Sequence, residues 1–307
     1  MKKATTGLET LDPGVPRPNF FLAGVAKAGT TSLYEYLRQH PQIFMPEIKE
    51  PAYFVQGYGV KTWDDYLALF KDAGDKAAIG DASAIYTSTE GSLAWIKSAL
   101  GEVKLVVILR NPASRAFSQY GWMAREGYED APTFAEALRR EPLRLRDPAF
   151  REQCPQFFGD YLYFTTGLYA DQVQTCFDTF GRERVKIYLF EEFIREPLNV
   201  CRDVFQFLGV DDQFVPKMEV HNEGRMPKSV AWQYWLRAEQ RRRRVLGSRA
   251  FRRKLADRLM GWNVQLGEKA QPDPVLLRDL TERYRPDISR LQTLLGRDLS
   301  PWLKSKG

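Results

Sequence analysis

NFFLAGVAKAGTTSLYEYL, residues 19–37, opens with an apolar run, Phe20 to Val25, short enough for a buried strand. The turn Ala26-Lys27-Ala28-Gly29 follows, and then Thr30-Thr31-Ser32, residue types that favour the start of a helix. Leu33, Tyr36 and Leu37 then recur at helical spacing. A strand, a glycine turn and a helix start bring several backbone N–H groups and the positive end of a helix dipole to one place, which suits a phosphate.

Gly24 and Gly29 have the glycine spacing of the nucleotide P-loop, but Thr30 stands where that motif has its lysine. The lysine comes earlier, as Lys27. In a P-loop the lysine reaches the β- and γ-phosphates while the next hydroxyl holds Mg²⁺. A lysine inside the turn faces a single 5′-phosphate and whatever is attached to it. Three readings stay open from these residues: a P-loop-type kinase or NTPase, a non-catalytic nucleotide-binding adaptor, and an enzyme of another group transfer.

A second stretch bears on the choice. Residues 103–110, VKLVVILR, form the clearest buried strand of the chain and end on Arg110. Asn111 is a good helix cap and Pro112 suits a first helical position. Arg110 at the strand end and Ser118, two turns into the helix, can converge on one anion. A guanidinium fits a dianionic phosphate because it donates in a bidentate fork.

KAGTTSL, residues 27–33, resembles the 5′-phosphosulfate loop of sulfotransferases that use 3′-phosphoadenosine 5′-phosphosulfate (PAPS). The segment from Arg110 to Ser118 resembles the family's 3′-phosphate-binding segment, about eighty residues on. The likeness is strongest to the branch of heparan sulfate sulfotransferases and bacterial relatives. It runs over roughly residues 17–210 and returns near 268–303. It implies a P-loop-like three-layer α/β fold, with a mostly parallel sheet flanked by helices and a C-terminal helical segment. It also implies PAPS as donor, 3′,5′-adenosine bisphosphate (PAP) as product, and an acceptor bearing a hydroxyl: a saccharide, a glycolipid or a small natural-product alcohol.

The resemblance carries over residue by residue. Lys27, Ala28, Gly29, Thr30, Thr31 and Ser32 match the phosphosulfate loop, with Lys27 also catalytic. Arg110 and Ser118 match the 3′-phosphate contacts, and Tyr169 matches a segment near the nucleotide. Glu50, followed by Pro51-Ala52-Tyr53-Phe54, matches the family's general base. Lys269 matches a basic loop over the nucleotide, without the glycine and arginine that accompany that lysine in heparan-type enzymes. Two further positions depart: Ala52 replaces a histidine of several relatives, and Asp81 stands where some carry a lysine that assists catalysis. From the residues alone, Lys49-Glu50 is an ordinary solvated pair. Asp81 orients Lys27, contacts the acceptor or caps a loop, and His40 and Asp81 are the candidates to be reconsidered as base should Glu50 prove not to be one.

The remaining chain supports one α/β domain over residues 17–307 after a loose lead-in, 1–16. Trp63, Tyr66, Leu67 and Phe70 form a core stripe. Residues 78–86 read as a strand running into a loop, 185–190 as a further strand, and 193–210 as helical. Strands alternating with helices imply a mostly parallel sheet covered on both faces, with the ligand at the strands' carboxyl ends. Residues 127–158 are polar and weakly periodic and read as acceptor-facing loops.

Net charge is +6, yet Arg237 to Arg258 holds ten basic and two acidic residues, +8, leaving about −2 for the rest. Apolar residues interleave with these arginines, so 237–262 reads as an amphipathic basic helical insertion. It is a solvated face, a lid over an anionic ligand, or a peripheral membrane contact. No recognition module for nucleic acid accompanies the charge. No window is long and apolar enough for a membrane span, and the N-terminus has no apolar core behind its lysines, so a cytoplasmic protein is expected. Cys154, Cys176 and Cys201 are odd in number and widely spaced and, with two histidines, give no metal-ligand pattern.

Overall fold

The computed structural model describes residues 14–218, 226–241, 257–264 and 271–304. The chain forms two compact units, one from residues 1–109 and 172–220, the other from 110–171 and 221–307.

The first unit contains the whole sheet. Its strands are β1 (Phe20–Gly24), β2 (Ile43–Phe44), β3 (Ala78–Asp81), β4 (Lys104–Leu109) and β5 (Val185–Leu189). All pairings are parallel, in the order β2-β3-β1-β4-β5. Every residue of β1 and β3 is buried, as expected of strands in a sheet covered on both faces, and β3 carries one carboxylate, Asp81, at its end. The chain leaves β1 toward the β2 edge and later crosses back past it to β4. The carboxyl end of β1 is therefore where the strand order reverses, the place where such sheets bind ligands.

The helices of this unit follow from local signals. α1 (Thr30–Arg38) starts at Gly29. α2 (Trp63–Ala68) is capped by Thr62, whose hydroxyl accepts from the Asp65 N–H at 3.1 Å. Tyr66 and Phe70 from the aromatic stripe are fully buried. α3 is Ser92–Leu100.

In the second unit α4 (Pro112–Arg125) has Asn111 as its cap, accepting from the Ser114 N–H at 3.0 Å, and Pro112 at its first turn. Residues 127–158 are not open loops: they contain α5 (Phe134–Arg146) and α6 (Pro148–Gln153). A buried ion pair stabilises them, with Arg144 donating to Glu129 through both terminal nitrogens at 2.8 and 2.6 Å. Glu141 accepts from the backbone N–H groups of Phe164 and Thr165. Glu141 and Arg144 lie at buried positions of the charged α5, and Glu129 is buried on the connection before it, so the polar sequence hid a packed face.

α7 (Tyr169–Phe180) begins in the second unit and runs into the first. In the first unit, α8 (Phe190–Arg195) and α9 (Pro197–Leu208) are separated at Glu196, the residue before Pro197. In the second, α10 (Val230–Arg241) is followed by α11 (257–264) and α12 (Pro274–Leu295), capped by Asp273 and ending at left-handed Gly296. Among the described residues no helix is long and apolar enough to cross a membrane. Leu236 of α10 and Met260 of α11 are buried, whereas Trp232 and Trp235 stack at 5.1 Å and are exposed. Residues 242–256 of the basic segment lie outside the described residues.

Candidate active site

The turn after β1 has the conformation its residues suggest. Lys27 (φ 71°) and Gly29 (φ 85°) are both left-handed, and the Ala28 N–H donates to the Val25 carbonyl at 3.2 Å. Glycine at 29 answers two demands. The left-handed angle favours it, and a Cβ there would sit 3.1 Å from the Phe193 ring. Gly24 answers a third, because a Cβ would lie 2.5 Å from the Thr87 hydroxyl oxygen. Among the described residues no side chain caps the start of α1, which leaves its first-turn N–H groups for another acceptor. Thr30 is buried, Lys27, Gly29 and Ser32 are half-buried, Thr31 is exposed and Ala28 is buried. Against Gly24, the buried Thr87 hydroxyl has no hydrogen-bond partner among the described residues.

Glu50 lies in the same unit on the loop after β2. Its backbone is left-handed (φ 63°), and its N–H donates to the Ala82 carbonyl at 3.0 Å. The carboxylate is divided between two partners: Oε1 receives the Lys49 ammonium, and Oε2 accepts from the Ala84 N–H at 2.8 Å. The solvated-pair reading of Lys49-Glu50 therefore captures half of the arrangement. The fixed half depends on residue 84, which nothing local in the sequence reveals.

Asp81, at the end of β3, is fully enclosed. Oδ1 accepts from Ser83 Oγ at 2.7 Å, and Oδ2 accepts from the hydroxyls of Tyr66 (2.9 Å) and Tyr86 (2.8 Å). Burial pushes its carboxyl up to about 6, with these hydroxyls acting in the opposite direction. Asp81 has no exposed surface with which to contact an acceptor, and its bonds to Ser83 and Tyr86 hold the segment that follows β3, as the loop-capping reading expects. His40 is likewise committed. Its Nδ1 accepts from the Gln42 N–H at 3.0 Å, so Nε2 carries the proton and donates to the Asp211 carbonyl at 2.8 Å. The ring packs on Phe205 and Phe214.

In the second unit Arg110 follows the last residue of β4 directly and is half-buried, as is Ser118 on α4. Tyr169 is fully buried, its ring on Trp302. Its N–H donates to Asp287 at 2.7 Å, which caps the start of α7. Lys269 lies outside the described residues. Cys176 and Cys201 are buried small hydrophobes whose thiols burial pushes up to about 12, which suppresses the reactive thiolate.

A solved sulfotransferase from Alicyclobacillus acidocaldarius is 33% identical, covering 94% of this chain and 100% of that one, with a TM-score of 0.71. The membrane-associated sulfotransferase kil1 of Dictyostelium discoideum is 33% identical over 105 residues, 34% of this chain and 22% of that protein. Mouse heparan sulfate glucosamine 3-O-sulfotransferase 3A1 is 26% identical over 206 residues, 65% of this chain and 48% of that protein. The chain thus spans between about a fifth and a half of the length of these two curated relatives. The sulfotransferase domain family matches residues 17–228, through segments of both units, and this chain belongs to that family.

Proposed function

We propose that this sulfotransferase moves a sulfuryl group from PAPS to an acceptor hydroxyl by in-line displacement, with residues 17–307 as its catalytic domain. The observation that carries the reading is the turn after β1. Two left-handed residues, Lys27 and Gly29, lead into a helix whose first N–H groups no side chain caps, at the point where the strand order reverses. The residues present suit a phosphosulfate: a positive helix end, a lysine within the turn, the hydroxyls of Thr30, Thr31 and Ser32, and the unpartnered Thr87 hydroxyl.

PAPS, when bound, supplies an activated sulfuryl group on a good leaving group. The α1 N–H groups and the three hydroxyls of residues 30–32 hold its charged end. Lys27 offsets the negative charge that develops on the leaving oxygen, an electrostatic task suited to a preset cation. Glu50 takes the proton of the acceptor hydroxyl, an ordinary general-base role, and its hydrogen bond to Ala84 keeps one oxygen fixed while it does so. Arg110 and Ser118 hold the 3′-phosphate, which separates PAPS from donors that lack it. The donor set contains a hydroxyl-rich anion cradle and one base, so positioning and charge account for the rate.

The test is transfer of radiolabelled sulfate from PAPS to a panel of saccharides, glycolipids and small alcohols. Label on at least one hydroxyl acceptor is expected, with PAP formed in equal amount. Magnesium-dependent ATP turnover without any sulfate transfer would contradict the reading.

A further inference from the structure

The loop that bears Glu50 is held in an uncommon shape. Glu50 (φ 63°) and Ala52 (φ 49°) are both left-handed without being glycine, a sparsely populated and strained conformation for such residues. Such a shape persists only where its surroundings over-determine it. The four residues from Asp81 to Ala84 do so. The Ala82 carbonyl accepts from the Glu50 N–H at 3.0 Å, Ser83 Oγ accepts from the Ala52 N–H at 3.0 Å, and the Ala84 N–H donates to Glu50 Oε2 at 2.8 Å. On its other side the loop receives the Val60 N–H on the Pro51 carbonyl at 2.8 Å.

Ser83 is the pivot. Its proton goes to Asp81 Oδ1 at 2.7 Å, so its lone pairs are turned toward the Ala52 N–H. The other oxygen of Asp81 is fixed by Tyr66 and Tyr86. A buried carboxylate is costly unless its hydrogen bonds are made, and here three hydroxyls make them. An anchor of this kind is out of proportion to the stability it gives one surface loop, but it suits a loop whose geometry must not drift.

We infer that Asp81 and Ser83 are positioning residues for the transfer reaction: Asp81 orients the Ser83 hydroxyl, Ser83 fixes the Ala52 N–H, and the Glu50 carboxylate is thereby held in place. The inference rests on the reading of Glu50 as general base.

The test is a double-mutant cycle on the full chain with Ser83→Ala, Glu50→Gln and the pair. Transfer from PAPS to water, followed as PAP release, is the activity probe, and amide hydrogen exchange is the structural one. Ser83→Ala should slow PAP release about 10-fold or more, with PAP affinity unchanged by calorimetry. It should also speed exchange at Ala52 by about 10-fold while β1 and α1 keep their protection. In the Glu50→Gln background the same change should add less than about 2-fold, because it acts through Glu50. Asp81→Asn, a second variant, should reproduce the pattern.

Wild-type exchange and rate in Ser83→Ala would overturn the inference and leave the base assignment standing. Equal losses in both backgrounds would overturn it too, since Ser83 would then act independently of Glu50. Near-full activity of Glu50→Gln alone would remove the base assignment, and the inference with it.

Discussion

The carboxylate of Glu50 accepts a hydrogen bond from the Ala84 backbone N–H at 2.8 Å, across 34 residues of sequence. One oxygen is therefore pinned to the segment that leaves β3, and the other meets the flexible ammonium of Lys49. The two oxygens thus have different partners, one a backbone N–H and the other a side-chain ammonium.

Glu50→Gln preserves shape and the bond from Ala84 but removes the proton acceptor. Turnover should fall by at least about 10²-fold, the low end for a positioned base. Lys27→Ala should cost about as much or more, as the loss of a charge-stabilising donor does. Steady-state kinetics with PAPS and any accepted hydroxyl checks both. Near wild-type turnover in Glu50→Gln would remove Glu50 from the base role, and neither His40 nor Asp81 would replace it, because both are enclosed and fully hydrogen-bonded.

Arg110→Ala should act on binding. Loss of a charge-assisted fork to the 3′-phosphate should weaken PAP by about 10- to 100-fold and raise the KM for PAPS. Affinity for AMP, which lacks that phosphate, should stay level. Isothermal titration of both ligands reads the difference.

Asp81 gives a pH dependence whose sign follows from its burial. Its carboxyl lies at about 6 in the folded protein, above the ordinary value near 4. Between those values the folded state holds the proton more tightly than the unfolded one, so this group lowers stability as pH rises through the window and has no further effect above it. Urea unfolding of wild type and Asp81→Asn from pH 4 to 7.5 isolates the effect. Wild-type stability minus variant stability should fall up to about pH 6 and then level. A difference independent of pH would contradict the raised value.

The Glu129–Arg144 pair in the second unit should be a purely structural element. Burial would raise the Glu129 carboxyl, but Arg144 and Tyr163 hold it below the usual range. Glu129→Ala leaves the buried Arg144 guanidinium with only its longer contact to Asp130 at 3.6 Å and should cost about 3 kcal/mol in chemical denaturation. Replacing Glu129 and Arg144 together by leucine and methionine should cost much less.

Much of this architecture was legible in the chain because its signals are local. The apolar runs of β1 and β4 have strand length, Gly29 opens α1, and Asn111-Pro112 opens α4. What could not be read depends on distant partners. The anchor of Asp81 uses Tyr66 and Tyr86, which look like ordinary core aromatics. β2 is only two residues long, too short to leave a pattern. Residues 134–146 looked like solvated loop because Glu141 and Arg144 occupy buried positions where periodicity expects apolar residues. The identity of the acceptor is not written in any of these signals, since a general base serves any hydroxyl.

Calorimetric titration of the purified protein with PAP, beside AMP and beside ATP with magnesium, tests the central claim most directly. PAP is expected to bind tightly, and AMP and ATP measurably but more weakly, because the proposed site takes one 5′-phosphate at the turn and the 3′-phosphate at Arg110. Preference for ATP with magnesium over PAP would contradict the assignment of the turn and of Arg110 together.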